Sequence, residues 1–280
     1  METQELKNIS SQVRRDIVRM VSGASSGHPG GSLGCADFLT LLYFEVMKHD
    51  ASSFSMNGKG EDIFYLSNGH ISPVWYSVLA RSGYFPVDEL VTFRKLSTRL
   101  QGHPSTDKNI PGVRMASGSL GQGLSCALGT ALTKKLNGDS SLVYTLHGDG
   151  ELQEGQIWEA AMYGAANKVD NLIATIDYNG RQIDGDVDDV LSLGNLAQKW
   201  HAFGWELLDM NCHNFEDMKQ TIANAQSFVG QGKPIVIIMT TEMGQGVDYM
   251  MGTHKWHGNA PNAEQLESAL NQLEETLGDY

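Results

Sequence analysis

The chain holds only three cysteines in 280 residues, Cys35, Cys126 and Cys212, scattered along its length. They show neither metal-ligand spacing nor an even-numbered framework, which excludes a disulfide scaffold and fits thiols in a reducing cytosol. No apolar run approaches the length of a membrane span. The opening Met1-Glu2-Thr3-Gln4-Glu5-Leu6-Lys7 lacks the basic and apolar regions of a secretory signal. Positive charge is scarce: 20 Lys and Arg face 33 Asp and Glu, for a net charge of −13. That balance argues against nucleic acid as a partner. An anionic substrate must therefore be met by local His, Lys and Arg or by helix N-termini. Internal repeats, low-complexity tracts and linkers are absent too. There is no Gly-Lys-Ser/Thr phosphate loop and no Gly-x-Gly-x-x-Gly after the first strand, so ATP and NAD are poor candidates. What remains is the profile of a cytoplasmic protein that works on small molecules.

What the sequence does have is one long alternation of helical and strand periods. Leu6, Ile9, Val13, Ile17 and Met20 recur at helical spacing and predict an opening amphipathic helix. It stops at a loop over residues 25–31, too rich in Gly and Pro to continue it. Further helices are expected over 36–47, after Ser72-Pro73, over 88–96, after Gly123, and over 154–168, 196–203, 215–228 and 263–277. Strands are expected over 62–66, 142–146, 172–177, 205–210 and 234–240. The stretch after Leu96 up to Gly123 reads as mostly loop, and so does 242–261. Strands alternating with helices imply an α/β fold, a mainly parallel sheet with helices on both faces. The length suits one domain over residues 1–280.

Two turns within this pattern carry chemistry. His147-Gly148-Asp149-Gly150 ends one apolar strand and Asn179-Gly180 ends the next, with a helix between them. In an open parallel sheet, ligands bind at the carboxyl ends of the strands. One carboxylate and one amide oxygen are hard ligands suited to Mg²⁺ or Ca²⁺ holding a diphosphate. Either turn alone reads as an ordinary glycine turn, and residues 178–181 alone read as a hairpin. Their pairing across one βαβ unit favours a site.

Four histidines, His28, His70, His103 and His257, fall in Gly- or Pro-bearing loops. Neutral imidazoles hydrogen-bond hydroxyls and exchange protons near pH 7, and cationic ones pair with phosphate. His254 and His257 lie three apart, but no acidic or cysteine ligand completes a zinc set nearby. The remaining histidines, His49, His147, His201, His213 and His254, are expected in solvated or helical positions. Gly118–Gly123 has the form of a glycine loop before a helix, whose free N–H groups could hold a phosphate oxygen.

Taken in order, these segments resemble the thiamine-diphosphate-binding N-terminal half of transketolases. The matching motifs are Gly27-His28-Pro29-Gly30-Gly31-Ser32, Ser67-Asn68-Gly69-His70, Gln101-Gly102-His103-Pro104 and Gly118-Ser119-Leu120-Gly121-Gln122-Gly123. They continue with Gly148-Asp149-Gly150-Glu151-Leu152-Gln153-Glu154-Gly155, Asp177-Tyr178-Asn179-Gly180 and Trp256-His257-Gly258. Full-length members run to more than twice this length, so the chain looks like the N-terminal subunit of a split transketolase.

The resemblance implies that Asp149, Asn179 and the main-chain carbonyl of Arg181 bind the metal, Mg²⁺ or Ca²⁺, that clamps thiamine diphosphate. Cofactor contacts would come from His70, Gly118, Leu120 and Gly121, and from Gly150, Glu154, Asn179 and His257. Glu154 would also stand at the subunit interface. His28, His70, His103 and His257 would line the substrate channel as catalytic residues, binding sugar hydroxyls and moving protons while a two-carbon ketol unit passes from a ketose phosphate to an aldose phosphate. The family activates the cofactor's pyrimidine with a glutamate from a following pyrimidine-binding domain. That glutamate is assigned to a partner chain, in an α2β2 heterotetramer. Pentose phosphates are the usual substrates, with modified or sulfonated sugars the alternative for split members.

Three residues depart from the family pattern. Arg181 and His147 stand where apolar residues are usual, and Arg114 where an acidic one is common. Competing readings are a deoxyxylulose-phosphate synthase-like chain, the α subunit of a 2-oxo acid dehydrogenase, and a non-catalytic scaffold subunit. Glu151-Leu152-Gln153-Glu154-Gly155 and the loops of His28 and His103 favour transketolase over the first two. Retention of Asp149, Asn179 and all four histidines counts against the scaffold.

Overall fold

Residues of alternating parity along each central strand enter two different apolar cores, and this decides the architecture. The computed structural model describes all 280 residues, Met1–Tyr280. Its helices are α1 (Thr3–Gly23), α2 (Pro29–Gly34), α3 (Ala36–Leu41), α4 (Ser72–Arg81), α5 (Gly123–Leu136), α6 (Gly155–Ala166), α7 (Val187–Leu191), α8 (Leu196–Ala202), α9 (Phe215–Ser227) and α10 (Ala263–Gln272). The strands are β1 (Ile63–Leu66), β2 (Val143–Gly148), β3 (Leu172–Tyr178), the short β4 (Arg181–Gln182) and β5 (Gly185–Asp186), then β6 (Glu206–Asn211) and β7 (Ile235–Thr240). Five of them form one sheet in the order β1-β2-β3-β7-β6, and every pairing in it is parallel.

In β7, Ile235, Ile237 and Met239 join the core under α1, α3, α4 and α9. Val236 and Ile238 point the other way, into the core under α5, α6 and α8. A sheet apolar on both faces must be covered on both, as expected for parallel strands joined by helices. The second core is capped by three indoles. Trp200 stands 5.3 Å from Trp158 and 4.9 Å from Trp205, between ring centroids. Trp158, half-buried, donates its Nε1–H to the carbonyl of Leu152 at 2.9 Å. No helix is long and apolar enough to cross a membrane.

Some expectations fail for physical reasons. Residues 88–96 do not form an α-helix. A 3-10 stretch, Val87–Thr92, gives way to Arg94 and Ser97 with φ of 56° and 61°, a left-handed backbone that no α-helix continues through. The expected helix over 36–47 ends as α-helix at Leu41, and Leu42–Val46 widens into a π turn. Part of the expected loop over 25–31 is helical, because Pro29 opens α2 at a position whose N–H has no intrahelical partner anyway.

Candidate functional site

The register places the acidic turns side by side. Gly148 pairs with Asp177 across β2 and β3, and Tyr178 with Thr240 across β3 and β7. The carboxyl ends of β1, β2 and β3 therefore bring Asn68, Asp149, Asp177 and Asn179 to one edge. A cavity of about 310 Å³ opens there, lined among others by His28, His70 and His257, by Gly118, Leu120 and Gly150, and by Asp149, Glu154, Asn179 and Arg181. Ten of the expected site residues thus share one wall. Gly121 lies beside it, and so does His103, whose ring is 6.4 Å from that of His28.

The acidic side is a buried oxygen cluster. Asp149 is 2% exposed; its Oδ1 accepts from the Gly150 N–H at 2.7 Å and its Oδ2 from the Gly180 N–H at 2.6 Å. Asn179 donates from Nδ2 to Asp177 Oδ2 at 3.0 Å and accepts at Oδ1 from the Arg181 N–H at 2.9 Å. Asp177, equally buried, accepts from the Thr241 hydroxyl. Neither carboxylate forms an ion pair with Lys or Arg. Burial, and then the neighbouring Asp177, push the Asp149 carboxyl up to about 7. Burial raises Asp177 as well. Two buried carboxyls without a cationic side chain fit a bound divalent cation, whose charge would hold them ionised. No three of His, Cys, Asp and Glu converge as a metal cluster, so the donors on offer are hard oxygens suited to Mg²⁺ or Ca²⁺.

Facing this cluster are the imidazoles. The His28 ring lies 5.1 Å from His70 and 5.7 Å from His257, and His70 stacks on His257 at 5.0 Å. Burial, and then the His257 ring, push His28 from its ordinary 6.5 down to about 4. Burial likewise depresses His70, His103 and His257. All four are neutral at pH 7, able both to donate and to accept. His28 Nδ1, His257 Nδ1 and Asn68 Oδ1 are buried polar atoms on this wall with no protein partner, the kind of unmet capacity that a polar ligand fills.

The depressed imidazoles give a pH signature. Between 6.5 and about 4 the unfolded chain takes up the His28 proton and the folded chain refuses it, so stability falls as pH falls through that window. Asp149 and Asp177, raised, act in the opposite sense over part of the same range. The clean test is a difference. His28→Asn is expected to lose less stability than the native chain on acidification across the window, read by urea unfolding at several pH values. Equal losses would show that the ring titrates normally.

Gly30 is where the loops of this site touch. A Cβ there would lie 2.6 Å from Met243 Cγ and 2.8 Å from the Trp256 carbonyl, next to His257. Gly30→Ala would normally favour a helix, but here it forces the 243–257 segment away. We expect a loss on the order of 1–3 kcal/mol, the scale of overpacking, measured by thermal unfolding. A more stable variant would contradict the contact.

The glycine loop differs from expectation. The Gly121 N–H donates to Glu151 Oε1 at 2.8 Å and the Gly123 N–H to Ser67 Oγ at 3.1 Å, so neither is free for a phosphate. Gly118 and Leu120 on the cavity wall make no such internal bond. Three histidines are also misplaced by sequence reasoning; His49 is half-buried in a loop, with Nε2 2.8 Å from the Tyr43 carbonyl oxygen and Nδ1 2.9 Å from the Tyr84 hydroxyl. His147 lies in β2, 1% exposed, with Nε2 2.7 Å from the Thr145 hydroxyl. It is neither solvated nor helical. His213 is partly buried and bridges Asp37 (3.2 Å) and the Glu242 N–H (2.8 Å). Arg114 stands away from the cavity, paired with Glu61 at 2.7 Å and stacked over Phe54. Three residues of the site region had not been singled out: Asp177, Glu151 and Arg94. The Arg94 guanidinium makes one hydrogen bond, to the Ser26 hydroxyl at 3.1 Å, and its charge helps to depress both His28 and His103.

With this geometry in place, the comparisons with known proteins agree on one family. The transketolase, thiamine diphosphate binding domain family matches residues 6–274. An apulose-4-phosphate transketolase subunit of Phocaeicola vulgatus is 37% identical over 99% of this chain and 96% of its own length. A 6-deoxy-6-sulfo-D-fructose transketolase subunit of a Clostridium species is 36% identical over 96% of each. Among solved structures, transketolase from Campylobacter jejuni superposes with a TM-score of 0.89 at 34% identity, covering 98% of this chain and 43% of that one. The chain thus spans less than half of that transketolase but nearly all of the two separate subunits. It belongs to the transketolase family, as an N-terminal thiamine diphosphate binding domain that matches the length of those subunits.

Proposed function

We propose that the chain is a single diphosphate-binding domain that works as the N-terminal subunit of a two-chain transketolase, moving a two-carbon ketol unit from a ketose phosphate to an aldose phosphate. The observation that carries this reading is the oxygen set of buried Asp149 and Asp177 with Asn179, facing the neutral imidazoles of His28, His70 and His257 across one cavity with His103 beside it. Asp149, Asn179 and the Arg181 carbonyl would hold Mg²⁺ or Ca²⁺. Gly118, Leu120, Gly121 and Gly150 would border the diphosphate, with Glu154, His70 and His257 beside them. Bound there, thiamine diphosphate supplies an electron sink for the two-carbon unit. This chain supplies hydrogen bonds and proton transfer on its own side of the cleft. His28, His70, His103 and His257, neutral at pH 7, accept hydrogen bonds from sugar hydroxyls and pass protons to and from them. Asp149 and Asn179 would fix the cation, with Asp177 orienting the Asn179 amide, and the sheet edge fixes both walls of the cleft.

A cavity of about 310 Å³ is at the small end for a ligand site. That fits a cleft completed by another surface, here a pyrimidine-domain partner in an α2β2 assembly in the cytoplasm. Two relatives named for apulose 4-phosphate and 6-deoxy-6-sulfo-D-fructose place modified sugars beside pentose phosphates as donors to test. The experiment is co-expression with the pyrimidine-domain partner, calorimetry with thiamine diphosphate and Mg²⁺, then a ketose panel with ribose 5-phosphate as acceptor. Uptake of the cofactor with ketol transfer supports the reading. No uptake in the assembled complex would return the chain to a scaffold role, and turnover of pyruvate would assign another thiamine chemistry.

A further inference from the structure

We propose that Glu151 is a positioning residue whose buried carboxylate ties the glycine turn at Gly121 to the end of β2, and so sets where the cofactor's diphosphate can lie. The inference rests on the thiamine diphosphate reading above. Glu151 is 2% exposed, two residues past Asp149. Its Oε1 accepts from the Gly121 N–H at 2.8 Å and from the Ser67 hydroxyl, and its Oε2 accepts from the Gly148 N–H at 3.1 Å. Ser67 Oγ in turn accepts from the Gly123 N–H at 3.1 Å. One side chain thereby joins the ends of β1 and β2 and the start of α5.

The chemistry calls for a carboxylate. Three donors converge on it, and only an acceptor-only group satisfies all of them. Glutamine would turn its NH₂ toward one of the two backbone N–H groups, donor against donor. Its one ionisable neighbour is His147, with Nδ1 3.6 Å away and the ring anchored to Thr145. No Lys or Arg approaches. A negative charge beside an anionic diphosphate does not attract it, so the contribution of Glu151 lies in placement. It takes up the Gly121 and Gly148 N–H groups and leaves Gly118 and Leu120 as the turn's contribution to the cavity wall. Gly121 itself has φ of +84°, a conformation glycine adopts without strain. A Cβ there would sit 2.9 Å from that of Glu154, so the turn has little slack once tethered.

The test uses Glu151→Gln and the milder Ser67→Ala in the full chain with its partner. Amide hydrogen exchange without cofactor should speed up over residues 117–124 in both variants, while β2 and β3 stay protected. Calorimetry with thiamine diphosphate and Mg²⁺ should then show affinity weakened about tenfold or more in Glu151→Gln, the scale of one charge-assisted hydrogen bond lost. The melting temperature reports whether the fold survives. Should Glu151→Gln fail to fold, Ser67→Ala carries the same two readouts, with a smaller effect expected. Unchanged exchange over 117–124 overturns the tether. Faster exchange with native affinity overturns the positioning role. If the native complex itself takes up no cofactor while exchange responds as expected, the thiamine reading falls and the tether stands as a structural feature only.

Discussion

Asp149→Asn is expected to lose thiamine diphosphate binding by on the order of a thousandfold while its ligand-free fold stays as stable or becomes more so. The two effects have opposite signs because one carboxylate serves two states. Without a cation, Asp149 is a buried charge next to another, Asp177, with backbone N–H groups, Asn179 and the Thr241 hydroxyl around the pair and no cationic side chain. Burial and that neighbour push its carboxyl up to about 7. Ionising it in the ligand-free site is unfavourable, and an amide of the same size removes that charge, which outweighs the cost of turning its NH₂ toward one of the two backbone N–H groups. With a cation present the balance reverses. The site's net charge drops by one, and a hard anionic ligand is replaced by a weaker neutral one. A thousandfold is about 4 kcal/mol, a loss consistent with removing one partner of a buried charge pair. Calorimetry with Mg²⁺ and thiamine diphosphate gives the first quantity and thermal unfolding of the ligand-free protein the second. A variant that binds the cofactor normally would remove Asp149 from the metal set. One that merely unfolds would mean the carboxylate is structural.

The chain purified alone should show no ketol transfer, at least about 10⁴-fold below the complex with its pyrimidine-domain partner, the upper range attributed to one positioned acid–base group. Glu154 borders the cavity but is exposed at the mouth of the cleft. Glu151, deeper, has its oxygens taken up by Ser67, Gly121 and Gly148. The oxygens of Glu151 are thus committed within the chain, and the two-chain reading assigns the activating acid of the cofactor ring to the partner. Adding the partner back to the purified chain should restore turnover in proportion to complex formed. Robust activity from the chain alone would sink the two-chain reading, whatever its cofactor.

The parts of this site that the sequence made legible are the ones that local chemistry dictates. Asp149 and Asn179 could be found because each sits in a glycine turn at the end of an apolar strand, and the sheet brings such ends together. The four histidines could be found because they interrupt loops that lack any helical or strand period. Asp177, though part of a matching motif, has no role legible in the sequence, because it ends an apolar run where a polar side chain reads as a strand boundary. Glu151 lies 84 residues from Ser67 and 30 from Gly121, and no local pattern announces contacts at that range. His147 reads as solvated until the sheet buries it. Arg94 was hidden for another reason: residues 88–96 carry helical spacing, and only the left-handed backbone at Arg94 breaks the helix that would have carried it elsewhere.

The indole at the head of α6 has a practical reach. Trp158 hangs by its Nε1–H from the carbonyl of Leu152, in the short turn between Asp149 and Glu154, and its ring stacks at 5.4 Å on Phe203 with Lys199 above it. The turn that borders the cleft and the chromophore are therefore one mechanical unit. Whatever displaces residues 150–154, be it a ligand in the cleft or a second chain over Glu154, alters the polarity and contacts of that one half-buried indole. The cleft edge is thereby tied to a fluorophore, and the difference in emission between the native chain and Trp158→Phe, which sets aside the other four tryptophans, is expected to follow occupancy without any label.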